Sequence, residues 1–230
     1  MPPKPRIITS SLESWCKSAT DAIGSAVRLN IKEKGECSLM LTGGNTAKQL
    51  YKHWASTTPW NHSKIKYYFG DERCVPPDNE GSNYGMVKQN LFPNGIPDGC
   101  TIIRIKGEMP DLLGSARIYE QKLPESIDIL LLTVGPDGHI SSLFPDSIAL
   151  QEKSKSVIPV ESPKPPHKRL TISKLVIKSA KSTFLFARGE EKGRILAKAL
   201  EQPYNTRALP VRLVLGSTWI LDSVASEQLE

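Results

Sequence analysis

The sequence has few cysteines and no long apolar segment. Its cysteines are Cys16, Cys37, Cys74 and Cys100, which lie far apart and form no CxxC pair, so neither a disulfide framework nor a zinc finger is indicated. The first residues lack the apolar core of an export signal, and no apolar run approaches the roughly 20 residues that cross a bilayer. We therefore expect a reduced, cytoplasmic protein with no membrane attachment.

Histidine is also scarce, and the common motifs that use it are absent. The chain has 4 histidines and contains neither an HExxH nor a GxSxG motif, so the usual zinc-hydrolase and serine-hydrolase signatures are missing. His53, His62 and His167 show no metal-ligand spacing. The sequence therefore predicts no metal and no cofactor.

Basic residues outnumber acidic ones without forming a basic tract. The 30 Lys and Arg residues are scattered among 24 Asp and Glu, which gives a formal charge of +6. Nucleic-acid-binding chains typically show a basic run or aromatic residues interleaved with basic ones, and neither is present. We expect the partner to be an anionic small molecule and not a nucleic acid.

Apolar runs alternate with amphipathic stretches along most of the chain. Strands are predicted at residues 6–9, 37–42, 64–69, 101–105, 127–134 and 182–187, and helices from 12 to near 35 and near 45–56, 82–91, 111–122 and 190–201. This alternation predicts an α/β fold with a mostly parallel, Rossmann-like sheet and helices on both faces. We interpret segment 151–170, rich in Lys, Ser and Pro, as a loop excursion, after which strand 169–173 returns to the same sheet. Residues 1–230 are thus expected to form one domain.

In such a sheet, ligands bind beyond the carboxyl ends of the strands. The strand at 37–42 runs into Gly43 and Gly44, and a helix opens at Asn45 and Thr46. Backbone N–H groups at a helix start of this kind bind phosphate or another anion. The alternative is a tight turn with a helix N-cap and no ligand.

A second unusual strand end carries three consecutive charges, Asp71, Glu72 and Arg73. An arginine in this position binds carboxylate or phosphate through two parallel hydrogen bonds, whereas ordinary solvated charge is the alternative. Asp71 is included among the candidate substrate-binding residues, although the sequence leaves open whether it or Glu72 touches substrate. Ser82 is expected to cap the next helix, with Asn83 either structural or facing the ligand.

The third strand end is the segment VGPDGH, where apolarity stops abruptly. Gly135 and Gly138 allow the backbone to pass close to a ligand, but a turn has no conformational use for His139. Asp137 is a neighbouring carboxylate that can orient the imidazole, so His139 is a candidate general base or acid. The alternative is a structural histidine.

The fourth place combines Arg169 with Lys192, which falls in the first turn of a predicted helix. A cation there is unfavourable against the helix dipole, and a bound anion would cancel that cost. Arg169 and Lys192 are therefore candidates to complete a phosphate pocket with the Gly43–Gly44 turn, the alternative being a surface lysine.

Together these segments resemble the 6-phosphogluconolactonase family, which shares its fold with the glucosamine-6-phosphate deaminases. The similar segments are LTGGNT, GDERCVPPDNEGSNYGM, GPDGHISSLFP, HKRLTIS and GEEKGRIL, within residues 37–220. The resemblance implies that His139 is the catalytic base and that Arg73 lies in the active site. The residues that it assigns to the sugar phosphate are Gly44, Asn45, Thr46, Arg169 and Lys192. The chain departs from the family at Thr133, where glycine is often found, and at Pro136.

The resemblance implies hydrolysis of 6-phospho-D-glucono-1,5-lactone to 6-phosphogluconate in the oxidative pentose phosphate pathway. Such a strained lactone needs neither a covalent nucleophile nor a metal, because His139 can activate water while Asp137 fixes the imidazole. Arg73 or backbone N–H groups would stabilise the oxyanion.

Two alternatives use the same fold. The aminosugar-phosphate deaminases and isomerases resemble DEY where this chain has DER, so Arg73 argues against them. Sugar-phosphate-sensing repressors need a DNA-reading helix-turn-helix, for which the residues before the first strand leave no room. We expect the protein to be a monomer or a weak dimer.

Overall fold

Ten strands form two sheets in the computed structural model, which describes residues 3–201 and 203–229. The strands are β1 (Arg6–Ser10), β2 (Cys37–Leu41), β3 (Ile65–Phe69), β4 (Asp71–Arg73), β5 (Thr101–Ile102), β6 (Ile129–Thr133), β7 (Val157–Glu161), β8 (Lys168–Ile172), β9 (Ser182–Ala187) and β10 (Thr218–Asp222). The large sheet has the order β1-β10-β9-β6-β2-β3-β5, and each of its strand pairs is parallel. The predicted mostly parallel sheet is confirmed.

Helices follow most of the strands. They are α1 (Trp15–Lys34), α2 (Asn45–Thr57), α3 (Asn83–Leu91), α4 (Leu112–Glu120), α5 (Lys174–Ser179), α6 (Glu190–Leu200) and α7 (Ser223–Ser226). Gly35 ends α1 in the left-handed conformation, with φ of 80°, as a C-terminal glycine commonly does. Ser82 caps α3 as predicted, because its side chain accepts a hydrogen bond from the Gly85 N–H.

The order of the strands places helices on both faces of the large sheet. The connections through α1, α2 and α3 lead toward β5, whereas those through α4, α5 and α6 lead toward β1. Because parallel crossovers are right-handed, these two groups of helices cover opposite faces. The strands between them are buried on both sides, which explains the continuous aliphatic sequence of β6.

The prediction that strand 169–173 returns to the large sheet is wrong. The strand is observed as β8, which lies between β4 and β7 in a separate sheet of three antiparallel strands. Part of segment 151–170 forms β7, so that segment is more ordered than the predicted loop. The chain passes from β3 into β4 through Gly70, whose carbonyl accepts a hydrogen bond from Ile172 N–H at 2.9 Å. The first strand of the small sheet therefore follows β3 after a single residue.

The direction of the connections reverses between β6 and β2. From β2 the chain proceeds toward β5, and from β6 it proceeds toward β1. Ligands of doubly wound sheets bind at such a switch point, beyond the carboxyl ends of the strands. The loops after β9, β6, β2 and β3 are consecutive at this edge, and they carry most of the candidate residues.

Candidate active site

The loop after β6 joins His139 to Asp137. His139 Nδ1 is hydrogen bonded to Asp137 Oδ1, and the same oxygen accepts from the His139 backbone N–H at 3.2 Å. Burial alone raises the pKa of Asp137, but the hydrogen bond and charge of His139 outweigh it and lower that pKa overall. The imidazole is 24% exposed, so it is oriented by the carboxylate and still open to solvent.

Two glycines make room for this histidine. A Cβ atom on Gly135 would lie 2.1 Å from His139 Cε1, so any side chain there would displace the imidazole. Gly138 has a φ of 83°, in the left-handed region, and a Cβ there would lie 2.2 Å from Leu209 Cδ1. Both glycines are required by the geometry of the loop.

The loop after β2 leads into α2 through Gly43 and Gly44. Gly44 is the N-cap residue, with φ of 94° and ψ of 164°, and no side chain caps the helix. The N–H groups of the first turn, which includes Asn45 and Thr46, therefore lack a side-chain acceptor. The turn has the features of an anion site, and phosphate binding here stays a prediction beside the alternative of a tight turn with an N-cap and no ligand.

Lys192, in the first turn of α6, contacts the start of α2. Its Nζ lies 3.3 Å from Thr46 Oγ1, which links the first turns of α6 and α2. Burial lowers the pKa of Lys192, and the nearby Glu191 partly opposes that shift. Arg188 was not predicted as a site residue. Its guanidinium contacts Gln49 on α2 and lies over the Trp15 ring. These contacts hold the two helix starts together.

Asp71 lies in a buried network that connects two of the site loops. Its carboxylate accepts hydrogen bonds from Ser142 Oγ at 2.6 Å and from Asn83 Nδ2 at 3.1 Å. Asn83 in turn packs against the loop after β2, because a Cβ on Gly43 would lie 2.2 Å from Asn83 Oδ1. The sequence carried no signal for Ser142. Direct contact of Asp71 with substrate stays a prediction.

Glu72, whose contact with substrate the sequence left open, is hydrogen bonded to the backbone at the start of α3. Its carboxylate accepts hydrogen bonds from the backbone N–H groups of Arg73, Asn83 and Tyr84, at 2.6 to 2.8 Å, and from Ser82 Oγ at 3.1 Å. Burial raises its pKa, and these backbone bonds oppose the rise. Glu72 therefore stabilises the start of α3.

Arg73 and Arg169 occupy directly opposite positions on β4 and β8. Arg73 Nη1 donates to Gly81 O at 2.6 Å, whereas its buried Nε has no partner among the described residues. Arg169 lies over the Phe144 ring, at 5.6 Å, and the His139 ring lies 4.7 Å from that same ring. Burial lowers the pKa of Arg169.

The predicted site residues thus form two groups around the switch point. Thr46 and Lys192 meet at the starts of α2 and α6. Arg169 borders the His139 loop through Phe144, and Arg73 lies opposite Arg169 on the small sheet. Among the contacts of residues 3–201 and 203–229, none joins Arg169 to the turn after β2. That Arg169 and Lys192 bind one phosphate stays a prediction.

The described part of the chain has neither a clustered set of metal ligands nor a helix suited to a membrane. Within it, no group of three or more His, Cys, Asp or Glu side chains is arranged to hold a metal ion. No helix within those residues combines the length and the apolar character that a membrane crossing requires.

The fold is shared with proteins of known family. The family model of the glucosamine-6-phosphate isomerases and 6-phosphogluconolactonases matches residues 10–221. The chain belongs to this family. The 6-phosphogluconolactonase of Homo sapiens is 33% identical over 92% of this chain and 92% of its own length.

Solved structures of the same family are also similar. The 6-phosphogluconolactonase of Trypanosoma brucei superposes with a TM-score of 0.86 at 25% identity, covering 99% of each chain. A monomeric glucosamine-6-phosphate deaminase superposes with a TM-score of 0.81 at 21% identity, covering 98% of this chain and 100% of its own. The second similarity concerns the fold alone, so the backbone does not separate the two activities of the family.

Proposed function

We propose that this protein hydrolyses 6-phospho-D-glucono-1,5-lactone to 6-phosphogluconate, with His139 as the general base. The observation that carries the proposal is the His139–Asp137 pair at the switch point, at the same sheet edge as the start of α2, which has no side-chain cap. Relatives that are named 6-phosphogluconolactonase and match most of the chain support this choice of substrate.

His139 acts on a water molecule and not on the lactone directly. Its Nδ1 is engaged by Asp137, which leaves Nε2 to accept a proton from a water that attacks the lactone carbonyl. Asp137 stabilises the imidazolium that forms, since its carboxylate carries the opposite charge at hydrogen-bond distance. As the carbonyl re-forms, the bond to the ring oxygen breaks and that oxygen takes the proton from the His139 imidazolium, which regenerates the base. The product is a carboxylic acid that ionises at neutral pH.

Positive charge binds the two ends of the substrate. The phosphate is bound by N–H donors at the start of α2 and by the charge of Lys192. The residues at that helix start are Gly43, Gly44, Asn45 and Thr46. Arg169 completes this anion site, and Asp71 holds the loops that border it. Arg73 or backbone N–H groups stabilise the oxyanion that develops on the carbonyl.

Arg73 also favours the lactonase over the deaminase reaction. A fixed guanidinium stabilises an oxyanion and a carboxylate product, but it disfavours an aminosugar whose amine is often cationic. The protein is further proposed to be cytoplasmic and to be a monomer or weak dimer, as expected from the sequence.

A direct assay tests the proposal. Purified protein is mixed with freshly generated lactone, and 6-phosphogluconate formation is followed with an excess of a coupling dehydrogenase, after subtraction of spontaneous hydrolysis. We expect acceleration of lactone hydrolysis and no ammonia from glucosamine 6-phosphate. Ammonia release without lactone hydrolysis would reverse the assignment, and activity on neither would favour a non-catalytic sugar-phosphate sensor.

A further inference from the structure

Thr133 connects the ends of β2 and β6, beyond the last residue pair of the ladder between these two strands. The last registered pair of that ladder is Met40 with Leu130, three residues before Gly43 and Thr133 respectively. At this point the Thr133 hydroxyl donates a hydrogen bond to Gly43 O at 3.2 Å. The Thr133 side chain therefore joins the two strands beyond the last pair of backbone hydrogen-bonded residues.

Gly43 is fixed from its other side by Asn83. A Cβ on Gly43 would lie only 2.2 Å from Asn83 Oδ1, and the Asn83 amide is held in turn by the Asp71 backbone carbonyl at 3.0 Å. The Gly43 peptide is thus enclosed between a fixed amide and the Thr133 hydroxyl. Loss of either contact leaves the turn room to move.

The orientation of this turn decides where the start of α2 points. Gly44 follows directly as the N-cap residue, and Thr133 Oγ1 lies 3.6 Å from the position of a Cβ on Gly44. The next two residues supply first-turn N–H groups, and Thr46 lies beside Lys192. Because hydrogen bonds to an anion depend steeply on geometry, a small rotation of the turn weakens several donors at once.

We propose that Thr133 is a positioning residue for the phosphate of the substrate, acting through its hydrogen bond to Gly43. The inference rests on the proposed function, since it names a residue that supports the same site. Thr133 contacts the turn and not His139, so its effect falls on substrate affinity and not on the water-activating step. A hydroxyl at this position is the feature that matters, because only the hydroxyl reaches the Gly43 carbonyl.

Steady-state kinetics of Thr133→Val and Thr133→Ser test this role. Valine keeps the shape and removes the donor, so KM for the phosphorylated lactone should rise about fivefold to tenfold, as for one lost hydrogen bond, with kcat within about twofold. Serine keeps the hydroxyl and should restore KM. Kinetics of Thr133→Val on unphosphorylated gluconolactone should not change. The control variant Thr101→Val, at an exposed position of β5, should keep wild-type kinetics on both lactones. If Thr133→Val does not fold, Thr133→Ala removes the same hydroxyl.

Three results would overturn the proposal: an unchanged KM in Thr133→Val, an equal loss on both lactones, or a serine variant as impaired as the valine variant. Calorimetric titration with inorganic phosphate keeps this test separate from the proposed function. If the wild-type protein does not accelerate lactone hydrolysis but Thr133→Val binds phosphate more weakly, the reaction is misassigned and the positioning role stands. Equal phosphate affinity of the two proteins would reject the role itself.

Discussion

Arg73 and Arg169 face each other across the β4–β8 ladder. Like charges at directly opposite positions of an antiparallel pair destabilise the sheet. Burial lowers the pKa of Arg169, the charge of Asp71 opposes that shift, and the charge of Arg73 adds to it. Two guanidinium groups in this arrangement are relieved when an anion binds between or beside them. The two opposed positive charges of the small sheet therefore favour the binding of an anionic ligand.

The variant Arg73→Gln tests whether this repulsion serves catalysis. We expect kcat/KM for the phosphorylated lactone to fall at least about tenfold, because a charged donor to the developing oxyanion is lost. The free energy of unfolding should stay within about 1 kcal/mol of wild type, since the loss of the hydrogen bond to Gly81 is offset by the removal of one of the opposed charges. Kinetics and urea unfolding of the same preparation measure both effects.

The control is Arg104→Gln, which removes an arginine paired with Glu108 outside the candidate site. It should leave kcat/KM within about twofold of wild type, as expected for a surface ion pair. Were Arg73→Gln to lose stability and activity together, Arg73 would be a structural residue of the small sheet.

Removal of the imidazole tests the water-activating step. His139→Asn should lower kcat by about 10²-fold or more while KM changes little, because general-base catalysis typically contributes that much. Asp137→Asn should lower kcat less, since the base remains but loses its carboxylate partner. His53→Asn, at a partly buried position of α2, is the matched control. Near wild-type kcat in His139→Asn would mean that this histidine is structural.

Much of the fold and of the site could be predicted from local sequence. Each of the segments around 37–46, 127–139 and 182–192 joins a buried apolar strand to glycines and polar side chains that a plain turn does not need. Such a signal is local, because hydrophobic runs and turn chemistry are read within a few residues. The positions of His139, Gly44 and Lys192 at one sheet edge followed from that signal.

What could not be predicted depends on which distant strands pair. The Asp71–Arg73 segment is charged and shows no strand pattern, yet it becomes β4 because β8 pairs with it. Thr218–Asp222, observed as β10, is a short run that periodicity alone does not distinguish from a buried helix segment. The contacts of Asp71 with Ser142 and of Thr133 with Gly43 span 71 and 90 residues, so no local pattern encodes them.

The contact between Lys192 and Thr46 predicts a loss of affinity specific to phosphate. Lys192→Met should raise KM for the phosphorylated lactone about tenfold or more, because a charge-assisted interaction with the dianion is lost. Kinetics on unphosphorylated gluconolactone should change by less than about twofold. The control Lys198→Met lies on the same helix, in its last turn. An equal effect on both lactones would place Lys192 outside the phosphate site.

A last prediction concerns stability and starts from a buried histidine far from the switch point. His62 is 9% exposed, and its Nδ1 lies 2.7 Å from the Tyr67 hydroxyl, which also accepts a hydrogen bond from Trp60 Nε1 at 2.9 Å. Burial lowers the pKa of His62 in the folded protein. In the unfolded chain the same group titrates near its ordinary value of about 6.5.

The sign of the effect follows from these two states. As the pH falls below about 6.5, the unfolded chain binds a proton that folded His62 does not, so the free energy of unfolding decreases. His62→Asn removes this titration. The variant should be less stable at pH 7.5, because it loses packing, but should lose less stability than wild type between pH 7.5 and 5.5, by up to about 1 kcal/mol. Urea unfolding at both pH values measures the difference, with His53→Asn as the control. Parallel losses in wild type and His62→Asn would show that other groups carry the acid sensitivity.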